Sequence, residues 1–136
     1  ETAQLIGEPF SDSTLCRKDG HFYLSCDREH PNEAAELWQA PALTGPWTRH
    51  PQSAAHNQSK RLRRCGGAFQ EIGGRLFRIA QDCNGAYGKR LFKVPVERLS
   101  PTEYREGAAQ LFLHLSRRSD HLYHGRVGQR ENDAAA

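Results

Sequence analysis

Several features are missing from this chain of 136 residues. No apolar run approaches the roughly 18 residues that mark a membrane-spanning helix, so no membrane span is expected. No basic start leads into an apolar stretch, so no signal peptide is expected either. The chain opens on Glu1 instead of Met, the mark of a processed, trimmed or partial chain, and localisation stays open. Four cysteines, Cys16, Cys26, Cys65 and Cys83, show no CxxC spacing, which argues against a zinc site. Their even number permits disulfides without implying them. His30, His50 and His56 have no metal-ligand spacing, so neither metal nor cofactor is implied. A large excess of one charge is lacking too. The 19 basic and 16 acidic groups leave a net +3, too balanced to argue for nucleic acid. The local exception is "SKRLRR" (59–64), either a solvated loop or an anion-binding patch. Both readings hold if only Arg64 turns inward.

What is present points to strands. The length suits one domain with its own core, although 37% hydrophobic residues and a mean hydropathy of −0.79 make it a polar one. "STLCRKDGHFYLSC" reads as a hairpin around Asp19-Gly20, a pair suited to a type I′ turn. "GAFQEIGGRLFRIA" reads as a second hairpin around Gly73-Gly74. The two turns lie 54 positions apart, and at that offset Phe22 falls on Leu76, Tyr23 on Phe77, Leu37 on Leu91 and Trp38 on Phe92. A third strand, "AELWQAPAL", thereby recurs as "KRLFKVPVERL", and each is followed by a turn and an aromatic, Trp47 and then Tyr104.

A hairpin, a third strand and a short fourth strand, repeated at about 40–50 residues, is the pattern of a β-propeller blade. The fold expected is therefore all-β, a partial β-propeller of two to three four-stranded antiparallel blades. The blades would span about 8–51 and 62–107, with a partial third at 108–127 and a disordered tail at 128–136. "AAQLFLHLSRR" (108–118) reads as a strand end plus a connection, with a short amphipathic helix as the alternative. Propellers hold about four to eight blades, so the missing ones would come from a longer parent chain or from self-association, or the repeat would form a sandwich instead.

Simple hairpin pairing places Asp12 opposite Asp27, Arg64 opposite Cys83 and Cys65 opposite Asp82. Polar residues would thus gather at one end of each hairpin, where propeller loops ring a channel mouth. "FRIAQDCNGAYGKRLF" (77–92) supplies the densest group. The alternative is ordinary polar strand ends, with Asp82 and Asn84 capping a turn. Paired carboxylates at such a mouth can act on a glycosidic bond as acid and as base or nucleophile. An arginine beside them can hold a hydroxyl, a carboxylate or a phosphate.

"PFSDSTLCRKDGHFYL", "LWQAPALTGPWTRHP", "RRCGGAFQEIGGRLFRIAQDCNGAYGKRLFKV" and "LSPTEYREG" carry a resemblance. Together they resemble the five-bladed β-propeller domain at the N-terminus of glucosamine inositol phosphorylceramide transferases, itself similar to glycoside hydrolase family 43. The motifs stand here as Asp12 to Leu15, Leu43 to Pro51, Arg64 to Gly67 and Arg78 to Gly88, with Cys65 and Ile79 where the family usually has proline. The match covers about residues 8–107 and corresponds to the C-terminal half of that domain. The resemblance implies catalytic carboxylates at Asp12 and Asp82. It implies substrate contacts from Arg64, Arg78, Gln81 and Tyr87, with Asp27 added by its predicted pairing with Asp12. His121 and His124 resemble a closing histidine segment.

Three functions follow. The first is a carbohydrate-active propeller, glycoside hydrolase-like, acting on or binding a glycan or glycolipid head group. The second is a non-catalytic carbohydrate-binding or glycosyltransferase-associated propeller fragment. Nucleic-acid binding through the basic 59–64 loop is the distant third.

Overall fold

The structure, a computed structural model, describes residues 4–28, 35–57, 60–82, 84 and 88–114. Its strands are β1 (Phe10–Lys18), β2 (His21–Arg28), β3 (Ala35–Ala40), β4 (Thr48–Arg49), β5 (Arg64–Ile72), β6 (Arg75–Asp82), β7 (Arg90–Leu99), β8 (Tyr104–Glu106) and β9 (Gln110–His114). Two short 3-10 turns, Ser53–Asn57 and Lys60–Leu62, lie between β4 and β5. Antiparallel pairing gives a four-stranded sheet in the order β1-β2-β3-β4. A five-stranded sheet runs β5-β6-β7-β8, with β9 also on β7. The all-β class holds, and the expected order of hairpin, third strand and short fourth strand occurs twice. Among the described residues the two sheets do not close into a ring.

Both hairpin turns use the left-handed conformations that the sequence requires. Asp19 and Gly20 have φ of 50° and 76°, and Gly73 and Gly74 have 58° and 72°. Two consecutive positive φ values match the right-handed twist of the strands on either side. β9 is a strand, as the first reading of 108–118 expects. It joins the second sheet, covering the first half of β7 (Arg90–Lys93) while β8 covers the second. The remainder of the expected third unit, 115–127, and the expected tail lie outside the described residues.

The hairpin registers differ from simple pairing at the polar ends. Near the turns the predicted partners are found: Lys18 with His21, and Ile72 with Arg75. Further out, β1 carries an extra residue between Ser11 and Thr14, so Ser11, not Asp12, pairs with Asp27. β5 carries two irregularities, so Arg64 pairs with Gln81 and Cys65 with Ala80, instead of Cys83 and Asp82. Each bulge places two residues against one and slides the register by one. Gly66 permits the first β5 bulge, because a Cβ there would sit 2.9 Å from the carbonyl carbon of Ala80.

The core lies between the sheets. Tyr23 and Leu37 from the first sheet pack with Cys16 against Leu99 and Tyr104 of the second. His50 sits between Tyr23 and Tyr104, with ring centroids 6.4 and 6.3 Å away. It is 2% exposed. Its Nδ1 accepts from the Gln52 N–H at 3.0 Å, which leaves the proton on Nε2 to be donated to the Ser100 carbonyl at 2.7 Å. One ring thereby joins the segment after β4 to the β7–β8 turn. A second, smaller cluster joins Leu62, from the turn before β5, to Ala80 and Val94 of the second sheet.

Replacing His50 with Ala removes a packed, buried ring and breaks two part-buried hydrogen bonds, those to the Gln52 N–H and the Ser100 carbonyl. The expected loss is about 2–4 kcal/mol in urea denaturation. A loss below about 0.5 kcal/mol, the level of an ordinary surface change, would show that His50 does not hold the sheets together.

Candidate functional site

The bulges bring residues from both sheets to one seam. β1 and β5 run side by side, and Asp12 lies in the β1 bulge with φ of 49°. Aspartate is among the few side-chain-bearing residues that tolerate this region, and such an outlier is a pointer to a site. From β5, the Arg64 Nε donates to Asp12 Oδ2 at 3.1 Å. The two side chains are 36% and 39% exposed, so the pair is open to solvent.

Beneath this pair lies Asp27, 7% exposed. The Cys65 N–H donates to its Oδ2 at 3.0 Å and, at longer range, to Oδ1 at 3.4 Å. Burial pushes the Asp27 carboxyl above its ordinary range, with the Asp12 charge adding to the rise and the hydrogen bond from Cys65 opposing it. Ser25 Oγ and Cys65 Sγ meet at 3.1 Å beside it. Burial also pushes the Cys65 thiol up to about 12, so it is not a nucleophile at neutral pH. Gln81 adds its amide from β6, with Nε2 donating to the Cys65 carbonyl at 2.8 Å.

Asp82 forms a separate group at the end of β6. Its Oδ2 accepts from Arg61 Nε at 2.7 Å and lies 2.6 Å from Arg61 Nη2. Its Oδ1 accepts the Asn84 N–H at 2.9 Å, the turn cap considered from sequence. Arg90 adds its charge at 3.6 Å. The hydrogen bonds from Arg61 hold the Asp82 carboxyl below its ordinary range.

Arg78 forms a third group. It is 3% exposed, forked onto Glu106 at 2.6 and 3.1 Å, and donates to the Leu62 carbonyl at 3.1 Å. Tyr104 Oη donates to the same Glu106. Arg78 and Asp82 alternate with Gln81 along β6, so they belong to the opposite face of that strand. Tyr87, Cys83, His121 and His124 lie outside the described residues.

The structure thus joins Asp12, Asp27, Arg64 and Gln81 around Cys65, and it places Asp82 and Arg78 in ion pairs of their own. The basic run engages two carboxylates, since Arg61 as well as Arg64 has an acidic partner. Arg61, Arg90 and Glu106 were not singled out as site residues. The run at 59–64 was the available signal for Arg61, whereas nothing in the local pattern paired Glu106 with Arg78. Among the described residues no group of three or more His, Cys, Asp or Glu is placed to hold a metal.

The two aspartates give opposite pH dependences. Asp82 has a folded value below its unfolded one, so its contribution is present above the unfolded value and lost as pH falls through the folded one. Asp27 has a raised folded value, so stability falls as pH rises from the unfolded value through the folded one. In urea titrations from about pH 3 to about pH 7, Asp82→Asn is expected to lower stability near neutrality and flatten the acid limb. Asp27→Asn is expected to remove the loss on raising pH. Parallel curves for wild type and Asp82→Asn would refute the assignment.

Residues 2–133 match the family described as glucosamine inositolphosphorylceramide transferase 1, N-terminal. Glucosamine inositolphosphorylceramide transferase 1 of Oryza sativa subsp. japonica is 31% identical over 127 residues, and the protein of that name from Arabidopsis thaliana is 30% identical over 128. Each alignment covers 89% of this chain, and the chain spans 17% of the length of each relative. No solved structure matches. On a match that runs nearly the whole length of the chain, this protein belongs to the family of glucosamine inositolphosphorylceramide transferase N-terminal domains.

Proposed function

We propose that this chain is the non-catalytic, carbohydrate-recognising part of a glycosyltransferase, and that it holds a glycan or glycolipid head group over the seam of Asp12, Asp27 and Arg64. The observation that carries this reading is the Asp12–Arg64 pair. It bridges two sheets, is more than a third exposed on each side, and rests on a buried third charged side chain. An arginine fork and an exposed carboxylate together offer donors and acceptors spaced for neighbouring sugar hydroxyls. Asp27 accepts the Cys65 N–H and Gln81 donates to the Cys65 carbonyl, which fixes the strand that presents Arg64.

The family favours a transferase-associated role over hydrolysis. The state of Asp82 supports the same choice: both oxygens are engaged by Arg61 and Asn84, and its carboxyl is held below the ordinary range, opposite to the upward shift a general acid needs. The basic loop is a poor nucleic-acid footprint, since two of its arginines are bound to carboxylates of the same chain. The propeller arrangement, with further blades from a parent chain, remains part of this proposal.

The name of the relatives suggests the first probes, glucosamine and myo-inositol. Calorimetric titration of the whole chain is expected to show saturable binding of at least one of them, with no product formed. Arg64→Ala is expected to weaken that binding by at least about tenfold, a loss of roughly 1.4 kcal/mol. Undiminished affinity in Arg64→Ala would remove the seam as the site, and release of a cleaved sugar from a glycoside would replace binding by catalysis.

A further inference from the structure

Away from the seam, a cleft of about 700 Å³ opens between the connection after β4 and strands β7 and β8. That volume is in the range of small-molecule sites, about 300–1,000 Å³. Tyr104 forms part of its lining and is 2% exposed. Gln52, on the facing segment, accepts the Tyr104 N–H at 2.7 Å, so the two walls are tied together. Pro51, Ala54 and Ala55 give one side an apolar surface.

The other side breaks a rule of sheet stability. Arg98 of β7 and Arg105 of β8 are direct cross-strand partners, and both line the cleft. Like charges in that position repel and destabilise a sheet. The β7–β8 register also shifts between Val96 and Arg98, an irregularity of the kind that re-aims side chains beside sites. Glu97 lies 3.1 Å from Arg105 and partly offsets its charge. Arg98 has no ion pair among the described residues. Glu103 also lines the cleft and would repel a ligand that was anionic throughout.

We propose that this cleft binds a sugar-sized, hydroxylated organic anion, with its phosphate or carboxylate between Arg98 and Arg105. Hydroxyls of the ligand would donate to Glu103, and its carbon skeleton would lie over Pro51, Ala54 and Ala55. The site is separate from the Asp12–Arg64 seam and does not depend on what the seam binds.

The test is calorimetric titration of the whole chain with glucose 6-phosphate, inorganic phosphate and glucose. Glucose 6-phosphate is expected to saturate, inorganic phosphate to bind more weakly and glucose to give no signal that survives Arg64→Ala. Arg98→Gln is expected to weaken glucose 6-phosphate binding by at least about tenfold. In the absence of ligand it should raise the melting temperature, because the cross-strand repulsion is gone. Arg64→Ala should leave this binding unchanged. The proposal is overturned by no saturable binding, by equal affinity in Arg98→Gln, or by loss of binding in Arg64→Ala, which would move the anion to the seam. Equal binding of glucose in Arg64→Ala would overturn it as well, since recognition in the cleft would then not require the anion.

Discussion

The fold depends on how two separate sheets are kept in one place without a shared hydrogen-bond ladder. Apolar packing of Tyr23 and Leu37 on Leu99 and Tyr104 supplies attraction but little direction. Direction comes from side chains of the first sheet and its trailing segment, each of which meets main chain of the second. Asp27 takes the Cys65 N–H, Gln52 takes the Tyr104 N–H, His50 reaches the Ser100 carbonyl, Gln39 the Pro101 carbonyl and Lys18 the Leu99 carbonyl. Four of these five contacts fall on residues 99–104, the β7–β8 turn and its flanks. The fifth falls at the start of β5, where the exposed ion pair is presented.

Charge is distributed to match that division of labour. Arg78 with Glu106 is enclosed and joins β6 to β8, where breaking one partner would leave a buried charge alone. Asp82 with Arg61 fixes the entry to β5 against the exit of β6. Asp12 with Arg64 is the contrasting case: it crosses between the sheets and stays wet. An exposed pair contributes little to stability, so the joint between the sheets does not rest on it.

Much of the local architecture was legible. The two hairpin turns, the 54-residue offset and the short fourth strands follow from turn chemistry and from apolar alternation, both of which act over a few residues. The polar ends were not legible in register. A bulge inserts one residue without changing the apolar pattern near the turn, so pairing counted outward from Asp19-Gly20 reaches Asp12 one step late. The Gly66-Gly67 pair was the one visible hint of irregularity in β5. Asp12 and Arg64 nevertheless meet, because side-by-side packing of β1 on β5 brings the two bulged ends together. Glu106 stayed hidden because its partner Arg78 is 28 positions away and belongs to a different hairpin.

Beside the side-chain pairs Asp12–Arg64 and Ser25–Cys65, the five bonds in which the first unit gives side chains and the second gives main chain lend the contact a polarity. The face of the first sheet that reads its neighbour is chemically unlike the face that is read. A two-fold axis needs the same patch on both partners, and this contact cannot supply it. It is a head-to-tail joint, which two units related by a two-fold axis cannot form and which successive units related by a rotation can.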